Sequence, residues 1–302
     1  MKNDPGVRIS RIQRFCMKDG PGLRTTVFFL GCPLSCRWCH NPECRHPSPR
    51  LMFYENKCVS CLACADICPR GAQLRDPRSV DRTKCVSCGR CAAVCPAGAL
   101  ELSGRTATVR EIMEEVCRDA EFYGDQGGLT VSGGEPTAQP EALLALLSLA
   151  GERKINAAVE TCGQFSPVLV RDLVPLTDLF LFDVKDTDPE RLRTFTGGDA
   201  DLIYSNLRAL DALGAPSVLR CPLIPGVNLN DPHAEALAGL FLTLSHARFA
   251  ELLPYHPLGI SKAGAAGEGA FRFDVPEKKD ILRFAGILRS RGVPVKYRGS
   301  MI

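Results

Sequence analysis

The sequence has no apolar run approaching the roughly 18–20 residues that span a bilayer, and its opening MKNDPGVRIS lacks the basic-then-apolar pattern of a secretory signal. No membrane association is expected, and the chain is read as cytoplasmic. An excess of charge of one sign is missing too: 37 basic and 34 acidic side chains give a formal +3. Nucleic-acid surfaces gather Lys and Arg into a run or onto one face and interleave them with aromatics. Here the basic residues are scattered, and the only tryptophan, Trp38, falls between two cysteines. A nucleic-acid partner is therefore not expected.

Cysteine is what the sequence has in excess, with 16 in 302 residues. A chain of this length can bury enough apolar surface to fold without staples. In a reducing cytosol such density argues for metal–thiolate chemistry rather than disulfides.

Eight of the sixteen lie between Cys58 and Cys95, in a stretch rich in Gly, Pro and small residues. We read residues 51–102 as an inserted domain, flanked by the two parts of a larger one, 1–50 and 103–302. Around the insert, strand-length apolar runs alternate with helical patterns. Strands are expected near Val27–Leu30, Leu129–Ser132, Ala157–Thr161, Leu179–Val184, Ser217–Pro222 and Ala250–Pro254. Helices are expected over Val109–Phe122, Pro140–Leu149, Pro167–Val174, Asp201–Leu213, Pro232–Ser245 and Pro276–Ser290, several opened by proline. Repeated strand–helix alternation implies right-handed crossovers and a parallel sheet. The predicted fold is α/β, a partial (β/α)6 TIM-like barrel carrying a ferredoxin-like insert. Ligands should gather at the carboxyl ends of its strands.

Within the insert one pattern occurs twice, 27 residues apart: Cys58-VS-Cys61-LA-Cys64-ADI-Cys68-Pro and Cys85-VS-Cys88-GR-Cys91-AAV-Cys95-Pro. This is the two-cluster ferredoxin spacing, in which the fourth cysteine of each run reaches across to the other cluster. One [4Fe–4S] cluster is expected on Cys58, Cys61, Cys64 and Cys95, the other on Cys85, Cys88, Cys91 and Cys68. Structural zinc is the alternative, but it leaves half the cysteines and both trailing prolines unexplained.

A third arrangement, Cys32-PLS-Cys36-RW-Cys39-His40, directly follows the first predicted strand. Three thiolates hold only three irons of a cubane, leaving the fourth open to a small chelating ligand. His40 as a fourth ligand would need a strained turn, being adjacent to Cys39. Cys16, Cys44, Cys117, Cys162 and Cys221 fall outside all three spacings, and packing as small hydrophobes is their default role.

The three-cysteine loop after a first strand resembles the radical SAM superfamily, whose cluster binds S-adenosylmethionine (SAM) at the open iron. The longer run from Asp19 to Cys44, DGPGLRTTVFFLGCPLSCRWCHNPEC, resembles the signature of glycyl radical enzyme activating enzymes. The two-motif insert is similar to that of their larger members, and the resemblance extends from Ile9 to about Gly299. It implies three [4Fe–4S] clusters, SAM as cosubstrate, a glycyl radical enzyme as macromolecular partner, and flavodoxin or ferredoxin as electron donor. Cluster ligation would turn the formal +3 into about −2.

Several positions match family elements one by one. Gly133, Gly134 and Glu135 resemble the motif that contacts the methionyl amino group, paired glycines allowing close backbone approach and Glu135 offering an acceptor for an ammonium. Asp183 and Lys185, on one face of a strand end, resemble the pair that contacts SAM and places the target, and both are taken as catalytic. Their alternative is an exposed ion pair. Glu160, Thr161 and Asp183 match the surroundings of a monovalent cation, with Glu160 one methylene longer than the family's aspartate. His233 matches a histidine near the ribose, and Trp38 and His40 are expected to shelter the cluster or line the SAM site. His256 sits in another family-like element, or packs at a strand end.

Overall fold

The computed structural model describes residues 4–76, 78–269 and 271–302. β1 (Gly6–Cys16) runs antiparallel to β2 (Arg24–Phe29), a wholly buried strand whose β-branched and aromatic residues suit a sheet interior. The chain then forms the insert, with β3 (Leu51–Phe53), β4 (Gln73–Leu74), β5 (Ser79–Val80) and β6 (Leu100–Leu102). β3 pairs antiparallel with β6, and β4 with β5. The chain returns through β7 (Arg105–Thr108), β8 (Gly128–Gly133), β9 (Asn156–Thr161), β10 (Leu179–Asp183), β11 (Ser217–Leu223), β12 (Ala247–Pro254), β13 (Val295–Tyr297) and β14 (Ser300–Met301).

One sheet takes these strands in the order β14-β13-β12-β11-β10-β9-β8-β2-β1-β7. Every pair from β2 through β13 is parallel, and the strands added at its two ends run antiparallel. The list is linear rather than closed, which makes the barrel partial. All six predicted strands are present. β1, β7 and β14 lack the alternation with helices from which the others were read, and β13, a seventh parallel strand after the helix Lys278–Ser290, is only three residues long. Among the described residues, no helix is long and apolar enough to cross a membrane.

Side-chain alternation divides each strand between two environments. Val27, Phe29, Leu129, Val131, Phe180, Phe182 and Leu219 face the helices, in a core shared with Ile112, Leu143, Leu207, Leu237 and Phe284. The helix Val109–Cys117 starts at a reciprocal cap, Thr108 accepting from Glu111 N and Glu111 from Thr108 N. The opposite, inner face begins with small apolar side chains, Ala158, Leu179, Leu181 and Val218. Following the same alternation toward the carboxyl ends, this face turns charged: Glu160, Asp183 and Arg220. An apolar floor below a charged mouth is thus written into period-2 spacing.

Arg24, on the inner face of β2, is fully buried. Its guanidinium donates to Thr130 Oγ1 (2.6 Å), Leu129 O (2.6 Å), Gln126 O (2.8 Å) and Asn156 Oδ1 (3.0 Å), so neutral acceptors from two neighbouring strands surround it. Burial pulls its pKa down to about 10. Replacement by methionine fills the volume but strands those acceptors. We expect Arg24→Met to cost at least about 2 kcal/mol, read as a lowered urea midpoint at unchanged slope.

Candidate active site

The carboxyl ends of the parallel strands surround a cleft of about 240 Å³. Cys32, Cys36 and Cys39 all face it from the loop that leaves β2, together with Gly133, Gly134, Asp183 and Lys185. The loop is pinned by backbone hydrogen bonds on both sides. Gly31 N and Cys32 N donate to Cys44 O and Arg45 O (2.8 and 3.0 Å), and Ser35 N and Arg37 N donate to Thr196 O and Phe195 O (2.8 and 3.0 Å).

Burial raises the Cys36 thiol to about 11 and the Cys39 thiol to about 12. Cys32 moves the other way, because the Cys162 thiol donates to it. Cys162 is buried beside the cleft with its N–H on Glu135 Oε2 (2.7 Å). Neutral thiols at such depth ionise only against a strong local cation, as metal–thiolate bonding supplies.

The glycine pair is explained by approach distances. A Cβ on Gly133, at φ 108°, would lie 2.5 Å from Phe29 N and O, and one on Gly134 would lie 2.3 Å from Gly31 O and 2.7 Å from Cys44 O. The pair is therefore wedged against the backbone that launches the three-cysteine loop. Glu135 sits elsewhere than expected. It is buried, absent from the cleft wall, and its carboxylate accepts from Thr137 N (3.2 Å), Thr137 Oγ1 (2.8 Å), Thr161 Oγ1 (2.9 Å) and Cys162 N (2.7 Å). The reading of Glu135 as an open acceptor for an ammonium is corrected: it clamps the end of β8 to the end of β9.

Asp183 and Lys185 do meet, Nζ to Oδ2 at 2.8 Å, and both line the cleft. The pair is partly buried, with side-chain exposures of 18% and 15%, which excludes the exposed surface pair. Burial opposes the Lys185 charge, yet Asp183 holds its pKa well above the ordinary value. Glu160 is bound to Arg220 Nη1 through Oε1 (2.7 Å) and accepts from Ser132 Oγ through Oε2. Burial pushes its carboxyl up to about 7 against the pull of that guanidinium. The ladder continues from Arg220 to Glu251 (3.6 Å) and from Glu251 to Lys296 (3.4 Å), all on the inner face.

His40 lines the cleft and stacks on His256, centroids 3.8 Å apart and planes 17° from parallel. Burial lowers it to about 4. Trp38 borders the cleft on one side and packs among Phe195 (6.2 Å) and Phe273 (6.3 Å) on the other. His233 lies apart from the cleft wall: fully buried, it accepts from Thr187 N (3.2 Å) through Nδ1 and packs on Phe284. Sequence reasoning missed Asp19, Arg220 and Cys162 as cleft residues. An arginine at an inner-face position of an otherwise apolar strand, LRCPL, was the available signal for Arg220.

In the insert, Cys68, Cys85, Cys88 and Cys91 line one cavity, the combination expected from crossed spacing. Cys58 and Cys64 share Arg78, whose Nη2 donates to Cys64 Sγ at 2.9 Å. Further donors point at sulfur: Ala72 N to Cys68, Gln73 Nε2 to Cys91 and Ala99 N to Cys95, each at 3.3 Å. Among the described residues, no three His, Cys, Asp or Glu side chains converge as a single metal ion would require. Four thiols spread around a cavity, with N–H groups on Cys68 and Cys91, suit a cubane better than zinc.

Residues 83–237 match the radical SAM superfamily model, and residues 57–99 match a 4Fe–4S dicluster domain. A structure of a domain of pyruvate-formate lyase-activating enzyme from Bacteroides vulgatus superposes with a TM-score of 0.50 at 28% identity, over 57% of this chain and 99% of that one. The fold and site thus define a radical SAM enzyme with a dicluster insert.

The isethionate sulfite-lyase activating enzyme of Nitratidesulfovibrio vulgaris is 42% identical over 83% of this chain and 84% of its own length. The indoleacetate decarboxylase activating enzyme of Tractidigestivibacter scatoligenes is 35% identical over 97% and 98%, and the benzylsuccinate synthase activating enzyme of Thauera aromatica is 37% identical over 96% and 92%. The chain belongs to the glycyl radical enzyme activating enzymes of the radical SAM superfamily. As such it cleaves SAM reductively and takes a glycine Cα hydrogen from a partner enzyme.

Proposed function

We propose that Cys32, Cys36 and Cys39 hold the SAM-binding [4Fe–4S] cluster, and that the two crossed sets of the insert hold the others. When bound, the first supplies one electron to the sulfonium of SAM. Cleavage then gives methionine and a 5′-deoxyadenosyl radical, which becomes 5′-deoxyadenosine on taking the glycine hydrogen. The observation that supports this reading is three thiols and a glycine pair facing one cleft whose mouth is charged. Gly133 and Gly134 bring backbone against the loop so that a ligand's amino group meets carbonyls. Lys185, held charged by Asp183, is a suitable partner for a carboxylate or a polarised oxygen. Trp38 packs with Phe195 and Phe273 beside the loop.

Support for a monovalent cation at Glu160, Thr161 and Asp183 is weak, since each of these groups already has a partner: Arg220 and Ser132, Glu135, and Lys185. Arg220 supplies the local positive charge. His233 is better read as a packing residue that orders the Asp186–Thr187 turn. The residues 51–102 behave as a separate unit closed by β3 and β6, and flavodoxin or ferredoxin is the donor we infer.

Activating enzymes named for a sulfite-lyase, a decarboxylase and a synthase are all 35–42% identical to this chain. We therefore take a glycine-containing loop, rather than the partner's own substrate, as what the cleft accepts. The test is anaerobic reconstitution followed by reduction in the presence of SAM. A change in the cluster's paramagnetic signal on adding SAM, with 5′-deoxyadenosine formed, is expected; a signal indifferent to SAM would reject the assignment. Mixing with a candidate glycyl radical enzyme should then yield an oxygen-sensitive glycyl radical signal.

A further inference from the structure

The two insert sites differ in how they stand to the barrel. β3 and β6 form the base of the insert, and their paired ends are distinguishable. Leu51 and Leu102 stand where the chain enters from and leaves to the barrel, with Ser103 N donating to Arg50 O (2.8 Å) and Gly104 against Ile9 O. Phe53 and Leu100 stand at the far end. Cys58 and Cys95 emerge at that far end: Tyr54 N donates to Ala99 O, and Ala99 N donates to Cys95 Sγ. The Cys85–Cys91 loop instead folds back to the near end, where Ser87 Oγ accepts from Leu51 N (3.1 Å) and Gly89 approaches Leu102.

Arg82 connects this near end to the barrel. Its guanidinium donates to Leu51 O and, at 2.7 Å, to Ala265 O, and it lies in the field of Cys85. Ala265 belongs to the helix Gly259–Ala266, whose Ala265 and Ala266 pack on Met52 of β3. The other end of that helix rests on the three-cysteine loop: a Cβ on Gly259 would lie 2.2 Å from Cys39 O. Ala265 lies six positions after Gly259, about 9 Å of helix. One short helix therefore spans from the insert's near end to the active-site loop.

We propose that Cys68, Cys85, Cys88 and Cys91 form the inner site of the insert and Cys58, Cys61, Cys64 and Cys95 the outer one. Arg82 is the positioning residue that fixes the inner site against the Gly259–Ala266 helix. The proposal rests on the reading that both sets hold cubanes. One electron, given up by a reduced low-potential carrier protein, enters at the outer set. It then moves to the inner set and on to the Cys32–Cys36–Cys39 site, each insert set accepting one electron and releasing one. Cys61 of the outer set and Cys88 of the inner one are both exposed, and the outer set is the entry point because it stands at the end of the insert away from the barrel.

Reconstituted wild-type holoenzyme, Cys58→Ala/Cys61→Ala, Cys85→Ala/Cys88→Ala and Arg82→Gln are compared by iron and sulfide content and by electron spin relaxation of the SAM-bound cluster after full reduction. Wild-type iron short of three clusters overturns the cubane reading, and the inference with it. With three clusters present, removing the inner set should slow that relaxation at least fivefold, while removing the outer set should leave it within twofold. The reverse order overturns the inner–outer assignment alone. If either double variant loses its remaining clusters, Arg82→Gln decides. It keeps every ligand, and unchanged relaxation in it overturns the proposal, whereas relaxation slowed at least twofold and partly restored in Arg82→Lys supports it.

Discussion

Replacing Cys36 by alanine is expected to remove about a third of the reconstituted protein's iron and all detectable 5′-deoxyadenosine. The loss is local because the insert's eight motif cysteines lie in the chain between β3 and β6, and none of them lines the active-site cleft. It is complete because three thiolates are the fewest that hold a cubane while leaving one iron for SAM. Cys162, the nearest spare thiol, does not rescue it. Its sulfur lies at hydrogen-bonding range of Cys32, and its N–H is tied to Glu135. Thiolates on neighbouring irons of a cubane stand farther apart than that, so Cys162 is set to shelter a ligand rather than to be one. The paired control follows: Cys162→Ala should keep the full iron content and measurable cleavage. Iron lost equally from both variants would assign four cysteines to this site and leave no open iron.

How much of this was legible in the sequence depended on whether the signal was local. The three cysteine spacings are local, since ligands that wrap one cluster must lie close along the chain, and the structure gathers Cys32, Cys36 and Cys39 on one cleft. Six of the seven parallel strands were legible for a similar reason: strands buried on both faces read as continuous apolar runs punctuated by helices. β1 was not, because its burial is mixed along eleven residues, and a strand antiparallel to the sheet follows no crossover helix. The helix Gly259–Ala266 was not either, its sequence GISKAGAA carrying two glycines and little apolar periodicity.

Glu135 shows where motif reading misleads. Its sequence position beside two cleft glycines suggests a contact to ligand, yet the backbone turns there. Of the donors that claim its carboxylate, Thr137 is local, but Thr161 and Cys162 come from the end of a strand 26 and 27 residues away. Arg220 and Glu160 are likewise partners across 60 residues, brought together only by strand order. Side-chain alternation predicted the face each residue occupies, but not which charges would neutralise each other on it.

Gly134 carries the second large expected effect. Gly134→Ala places a methyl carbon 2.3 Å from Gly31 O and 2.7 Å from Cys44 O, both backbone atoms. Neither can rotate aside, and both belong to the segment that pins the three-cysteine loop: Gly31 O accepts from Glu135 N (2.7 Å), and Cys44 O from Gly31 N (2.8 Å). Relief must therefore come from displacing β8 or the loop. Catalytic ligand sets tolerate little movement, and an ångström of misplacement costs on the order of 100-fold in rate. We expect Gly134→Ala to lower SAM cleavage at least 100-fold and to deplete iron from this site alone, with the insert's two clusters retained. Gly239→Ala, in the helix Asp231–Leu242 with nothing within 4 Å of the new methyl, is the matched substitution and should leave both quantities unchanged. Wild-type cleavage in Gly134→Ala would show that the loop is not held by this contact, and the glycine pair would then lose its role in shaping the site.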